Sequence, residues 1–170
     1  MTSETAENTD PHSADYSHSA DHSHSADYSC IVVGSDGSQS SMLAVRRAAR
    51  LAAAFDAQLL IACAYYEPGH VAGPQEPVSD HPVVGAEQAE AILQPAVEEA
   101  RALGAEKVSS AVQTGSPVAA LMSIVAQHDA DVLVVGNRGI NTLTGRLLGS
   151  VPADIARQSD CDVIIVHTVA

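Results

Sequence analysis

The sequence is poor in aromatic residues and in cations. The first shortage restricts the composition of the core, and the second restricts the partners that the protein can bind. It has no tryptophan and one phenylalanine, so its core must be built from the aliphatic residues that dominate its 46% apolar content. Eight Lys and Arg against 21 Asp and Glu give a net charge of −13. Phosphate backbones and anionic membranes are bound by clustered cations, so we expect no nucleic-acid partner and no membrane partner.

Long apolar runs are also missing, because none approaches the roughly 18 residues that a membrane span needs. The first ten residues, MTSETAENTD, have neither the basic nor the apolar region of a secretory signal, which favours a cytoplasmic location. The three cysteines match neither a disulfide framework nor a CxxC metal site. We therefore predict buried, reduced thiols and no metal site.

Residues 1–29 differ in composition from the rest of the chain. The hexamers SADYSH, SADHSH and SADYSC follow one another from Ser13, and the segment contains six acids, four histidines and no Lys or Arg. Such a segment buries too little apolar surface to offset its ordering entropy. It is predicted to be a disordered low-complexity tail, with the folded domain over residues 30–170.

From Cys30 onward, short runs of Val, Ile and Leu alternate with helical patterns. The runs CIVVG, AQLLIACAY, KVSSAVQ, DVLVVG and DVIIVHTV predict five strands. Between them, Ser38 and Ser116 are suited to begin helices, and Pro95 either kinks the second helix, roughly Ala86 to Leu103, or marks a second start. Strands that alternate with helices indicate one doubly wound α/β domain with a parallel sheet.

A segment of 20 residues with four prolines, from Tyr66 to Gly85, separates the second strand from the second helix. Loops of this length are uncommon inside compact domains. Two interpretations remain open, a functional lid and a segment that is simply mobile.

Three glycine positions follow the fourth strand and lead into a helix. They are Gly136, Gly139 and Gly149, the last followed by Ser150. Glycines let backbone N–H groups approach an anion, and a helix start presents free N–H groups and a positive dipole end. Turn residues and a simple N-cap are the alternative, but the repeated spacing favours an anion site. Neither a P-loop nor a GxGxxG turn is present.

The spacing G-x2-G-x9-G-[ST] resembles the nucleotide-binding signature of the universal stress protein family. The resemblance extends over nearly all of residues 30–170, through VVGSDGS, LLIACAY, VLVVGNRG and GRLLGSVPADIARQSDCDVIIVH. It is greatest to the single-domain actinobacterial members, some of which bind cyclic AMP. It implies a single Rossmann-like domain whose five-stranded parallel sheet has the order 3-2-1-4-5, flanked by four helices.

The resemblance also implies roles for individual residues. Asp36 matches an acidic residue that contacts the nucleoside, Gly34 and Ser35 line the same wall, and Ala64 matches a backbone contact to adenine. The remaining matches are the loop over ribose and phosphates (Gly136, Asn137, Arg138 and Gly139) and the phosphate-facing helix start (Gly149, Ser150 and Val151).

The family's dimers pair through the strand that matches DVIIVHT, which implies a homodimer. The expected ligand is an adenine nucleotide, either ATP with Mg²⁺ or cyclic AMP, bound by a stress-response sensor or nucleotide buffer. We expect no catalytic residues, because no base, γ-phosphate lysine or carboxylate pair is evident at the site. A slow ATPase and a ligand-independent scaffold that acts through protein partners are the alternatives.

Overall fold

The computed structural model describes residues 27–70, 82–137 and 148–168. The strands are Cys30–Gly34 (β1), Gln58–Tyr65 (β2), Val108–Thr114 (β3), Val132–Gly136 (β4) and Asp162–Val166 (β5). The helices are Gln39–Phe55 (α1), Ala86–Ala102 (α2), Pro117–Gln127 (α3) and Ser150–Gln158 (α4). In these three ranges, no helix is long and apolar enough to cross a membrane.

The five strands form one parallel sheet in the order β3-β2-β1-β4-β5, which confirms the predicted Rossmann-like order. The chain builds outward from β1 to β2 and β3, and then crosses back to add β4 and β5 on the other side. The strand order therefore reverses between β1 and β4. In open parallel sheets, ligands bind beyond the carboxyl ends of the strands at such a point.

Helices cover both faces of the sheet. The larger core layer packs α1 and α2 on one face and contains Ile31, Val33, Leu59 and Ile61. The second layer packs α3 and α4 on the other face, around fully buried residues such as Leu133. Because the central strands are buried on both faces, they are nearly continuous in Val, Ile and Leu, as parallel sheets require.

Most helix ends agree with the predictions from capping residues. Ser38 begins α1 and Ser116 begins α3, each with its side-chain oxygen accepting from a backbone N–H of the first turn. Pro95 lies inside the continuous helix α2, so the alternative of a second helix start is wrong. The N-cap of α4 is Gly149 and not Ser150, because Ser150 already has helical geometry.

The last residues of the predicted tail contact the folded domain. The Tyr28 hydroxyl donates to Asp162 Oδ2 at 3.1 Å, and its ring packs edge-on against Phe55. The backbone N–H groups of Ser29 and Cys30 both donate to Asp131 Oδ2, at 2.7 and 2.8 Å. Residues 1–26, and with them most of the tail, lie outside the described residues, so disorder of the tail stays a prediction.

Of the long segment between β2 and α2, residues 71–81 also lie outside the described part of the chain. Its two ends are held together, since Tyr66 N–H donates to Val83 O and Gly85 N–H donates to Tyr66 O. The segment therefore leaves and returns at the carboxyl end of β2, which is the edge of the sheet that carries the candidate site.

Candidate functional site

The turn from β1 into α1 is the first wall of the candidate site. Asp36 Oδ1 accepts a hydrogen bond from Ser38 N–H at 3.0 Å, and this Asx turn leaves the carboxylate exposed. Gly37 follows with a φ of +78°, a conformation that favours glycine. A Cβ on Gly37 would lie 2.9 Å from the Ile92 side chain of α2. The turn is thus confined by α2, with Asp36 pointing outward.

Two other residues of this wall face the interior of the protein. A Cβ on Gly34 would lie 3.0 Å from Leu121 Cδ1 of α3, so its open side is filled by protein. The Ser35 side chain is 6% exposed; its Oγ lies 3.1 Å from Ser41 Oγ and accepts from Gly37 N–H at 3.3 Å. Their side-chain positions therefore shape the turn and are not presented to a ligand.

The end of β2 lies beside this turn. Ser35 N–H donates to Ala62 O at 2.8 Å, so Ala64 lies two residues further along β2, beyond the end of β1. Burial raises the pKa of the neighbouring Cys63 thiol to about 12, and the negative charge of Asp36 adds to the increase. Asp36 is therefore within electrostatic reach of the end of β2, and the half-buried Ala64 lies at the edge of the same wall.

The end of β4 is bonded to neighbouring segments through its own polar groups. Asn137 Oδ1 accepts from both the backbone N–H and the hydroxyl of Thr168, at 2.8 and 2.7 Å. Thr168 Oγ1 lies 2.6 Å from Ser40 Oγ on the first turn of α1. A Cβ on Gly136 would lie 3.1 Å from Ser40 Oγ. Gly136 thus packs against Ser40 of α1, and the Asn137 side chain is bonded to the segment after β5, while both residues stay partly exposed.

The start of α4 forms the opposite wall and carries two backbone donors. Gly149 N–H is already used, because it donates to Asn137 O at 3.0 Å. Ser150 and Val151 N–H have no hydrogen-bond partner among the described residues, and the next residue, Pro152, has no N–H. Ser150 is exposed. Two adjacent donors at the positive end of a helix are the arrangement that binds an anion.

The structure therefore divides the predicted residues into two groups. The residues placed at the open edge are Asp36, Ala64, Gly149, Ser150 and Val151, although Gly149 N–H is bonded to Asn137 O and the Val151 side chain packs against the second core layer. The residues engaged by packing or hydrogen bonds within the protein are Gly34, Ser35, Gly136 and Asn137. Arg138 and Gly139 lie outside the described residues, so their predicted contacts to ribose and phosphate stay predictions.

Ser40 and Thr168 were missed by the sequence analysis, although both contact the end of β4. Ser40 resembles any polar residue in a first helical turn, and Thr168 lies two residues beyond the apolar run of β5. The predicted fifth strand DVIIVHTV contains Thr168, but the sequence carried no signal for the contact of Thr168 with Ser40 and the end of β4.

The chemistry of this edge is that of binding. It offers backbone donors for an anion and an exposed carboxylate for hydroxyl groups. Within the ranges described, no cluster of three or more His, Cys, Asp and Glu could hold a metal ion. The described thiols are free, and both Cys30 and Cys63 are buried.

The sequence profile of the universal stress protein family matches residues 27–167 of this chain. The chain belongs to the universal stress protein family. The universal stress protein Rv1636 of Mycobacterium tuberculosis (strain ATCC 25618 / H37Rv) is 46% identical over 140 residues, which cover 81% of this chain and 95% of that protein.

Solved universal stress proteins have the same fold. A crystal structure of a universal stress protein in complex with cAMP is 44% identical, has a TM-score of 0.66, and covers 84% of this chain and 99% of its own. A universal stress protein from Archaeoglobus fulgidus in complex with dAMP has a TM-score of 0.61 and covers 81% of this chain and 97% of its own. At 20% identity, the latter likeness shows the fold alone.

Proposed function

We propose that this universal stress protein binds an adenine nucleotide at the carboxyl ends of β1 and β4. The observation that carries the proposal is the start of α4, where the N–H groups of Ser150 and Val151 have no partner among the described residues and lie at the switch point of the sheet. A protein 44% identical to this chain over nearly its own full length is known with cAMP bound. Geometry and relationship therefore support the same ligand class.

The two walls suit opposite ends of a nucleotide. Ser150 and Val151 N–H hold the phosphate, which is stabilised by the dipole of α4. The Asp36 carboxylate accepts from the ribose hydroxyls, a role that acidic residues have in other nucleotide-binding sheets. Ala64 lies where the base contacts the end of β2. Arg138 and Gly139 complete the phosphate side, with Arg138 supplying a charge-assisted contact.

Cyclic AMP and ATP with Mg²⁺ are the two candidate ligands, and cyclic AMP is the better supported. Two adjacent amides match its single phosphate, which carries one charge and needs no metal. The triphosphate carries several charges and requires a cation, and the described walls contribute one exposed carboxylate, Asp36. The 44% identical relative was solved with cAMP.

We further propose that the protein acts as a sensor or buffer of the nucleotide in the cytoplasm and is not an enzyme. A homodimer would pair through β5, an edge strand whose Val163, Ile164 and Ile165 are only half-buried. Exposed apolar edge strands favour such pairing. The net charge of −13 supports the absence of nucleic-acid and membrane partners.

The test is calorimetric titration of the full chain with cyclic AMP, and separately with ATP and Mg²⁺. Asp36→Ala should weaken binding by roughly ten- to hundredfold, since a hydrogen bond to a charged group contributes about 1.5–3 kcal/mol. Asp160→Ala is the matched control, because Asp160 is an exposed acid before β5, at the opposite end of the sheet. Light scattering of the same samples reports the dimer.

The outcomes distinguish the rival functions. Saturable binding that is weakened by Asp36→Ala and not by Asp160→Ala supports a nucleotide site at this edge. Phosphate release from ATP in proportion to protein would instead support a slow ATPase. Absence of binding to both nucleotides would refute the proposal and leave a scaffold that acts through protein partners.

A further inference from the structure

The side chain of Asn137 is hydrogen-bonded to neighbouring residues of the protein. Its Oδ1 accepts two hydrogen bonds from Thr168, one from the backbone N–H and one from the hydroxyl. A backbone N–H can only donate, so the orientation of the amide is set and Nδ2 points the other way, 3.3 Å from His167 Nδ1. Both ends of the amide therefore have protein partners.

The hydroxyl groups form an ordered chain toward this amide. Since Thr168 Oγ1 donates its one proton to Asn137 Oδ1, the Ser40 hydroxyl must be the donor across the 2.6 Å that separates it from Thr168 Oγ1. Ser40, Asn137 and Thr168, here called the 137–168 lock, thus join the first turn of α1, the end of β4 and the residues after β5. Chains of this kind strengthen one another.

The backbone of Asn137 extends the same junction to α4. Its N–H donates to Val166 O at 2.8 Å, and its carbonyl accepts from Gly149 N–H at 3.0 Å. The second of these bonds joins Asn137 to Gly149, the residues that lie before and after the glycine segment. Gly136 fits beneath the lock because it has no side chain, since a Cβ there would lie 3.1 Å from Ser40 Oγ and 3.4 Å from Thr168 Cγ2.

We propose that Asn137 is a positioning residue of the nucleotide site and acts through the 137–168 lock instead of by contact with the ligand. This rests on the proposed function, because the group being positioned is the start of α4 with its Ser150 and Val151 donors. By fixing the carbonyl that receives Gly149 N–H, the lock sets where those donors lie relative to the end of β4. Misplaced donors would lose anion affinity without any change in the donors themselves.

The test is a double-mutant cycle on nucleotide affinity with Asn137→Ala and Thr168→Val. Thr168→Val keeps the shape of the side chain and the backbone N–H but removes the hydroxyl. Thr168→Ser, which retains the hydroxyl, is the matched control. We expect Asn137→Ala to raise the dissociation constant about tenfold and Thr168→Val about threefold to tenfold. The double variant should be no weaker than Asn137→Ala alone, and Thr168→Ser should bind like the unmodified chain.

Amide hydrogen exchange at Gly149, measured by NMR without ligand, reports directly on the hydrogen bond from Gly149 N–H to Asn137 O that the lock is proposed to hold in place. Exchange should be faster in Asn137→Ala and Thr168→Val than in Thr168→Ser, at urea concentrations where all variants remain folded. The proposal is overturned if Asn137→Ala weakens binding by the same factor in both Thr168 backgrounds, or if Gly149 exchange is unchanged. If the unmodified chain binds no nucleotide, the proposed function fails, and the role of the lock in binding fails with it. The exchange data would still show whether the lock orders the start of α4.

Discussion

Replacing Gly149 by alanine, asparagine and aspartate separates the charge of an anion site from its shape. Gly149 is the N-cap of α4 with φ −61° and ψ 161°, which any residue adopts. A Cβ there would have its nearest neighbours at 3.5 Å, an ordinary contact. All three variants should therefore fold, and Gly149→Ala should change nucleotide affinity by less than about twofold.

Asparagine and aspartate have the same shape but differ by one charge. An N-cap side chain accepts from the second or third helical N–H, and the third position is Pro152, so either side chain would take Val151 N–H. Gly149→Asn removes one of the two donors and should cost about 1 kcal/mol, or roughly fivefold in affinity. Gly149→Asp adds repulsion of about 1–4 kcal/mol for charges about 4 Å apart, a further fivefold to several-hundredfold.

The stability of the fold should change in the opposite direction. Asn and Asp are better N-caps than glycine by a few tenths of a kcal/mol, and the carboxylate gains about 0.3–1 kcal/mol from the helix dipole. Melting temperatures measured by calorimetry should therefore rise by roughly 1–4 °C as affinity falls. Equal affinity of the asparagine and aspartate variants, at low and at high salt, would refute the assignment of an anion to the start of α4.

Four further predictions concern the turn from β1 into α1 and the described thiols. Ser38→Ala removes the N-cap of α1 and should lower the free energy of unfolding by about 1 kcal/mol, measured by urea denaturation, while Ser38→Asp should restore it. Gly37→Ala should cost about 1–3 kcal/mol because of its positive φ, and more than Gly69→Ala, which shares the positive φ but has open space around it. Iodoacetamide at pH 8 should modify the half-buried Cys161 before Cys63. Cys63 is 1% exposed, and its burial raises the pKa of its thiol to about 12. Mass spectrometry that finds Cys63 alkylated first would contradict this. Since the pKa of a solvent-exposed thiol is near 9.0, the raised pKa of Cys63 should make the fold less stable as the pH rises from about 9 toward about 12.

Much of the fold could be predicted because its signals are local. The apolar runs of β1, β2, β4 and β5 and the caps Ser38 and Ser116 are visible within a few residues of sequence. The cap of α4 was less clear, since both Gly149 and Ser150 are acceptable N-caps and the choice depends on where the preceding loop places the chain. Which residues belong to the site was harder still to predict.

The sequence by itself determined the order of the strands and helices, the composition of residues 1–29 and the glycine spacing after the fourth strand. Only the tertiary structure decided which of those positions remain open. Asn137 is bonded to Thr168, 31 residues away, and Gly34 is covered by Leu121 of α3. A side chain's partners come from segments that meet only when the sheet forms. Spacing along the chain can therefore predict that an anion site exists, but not which of its residues face the anion.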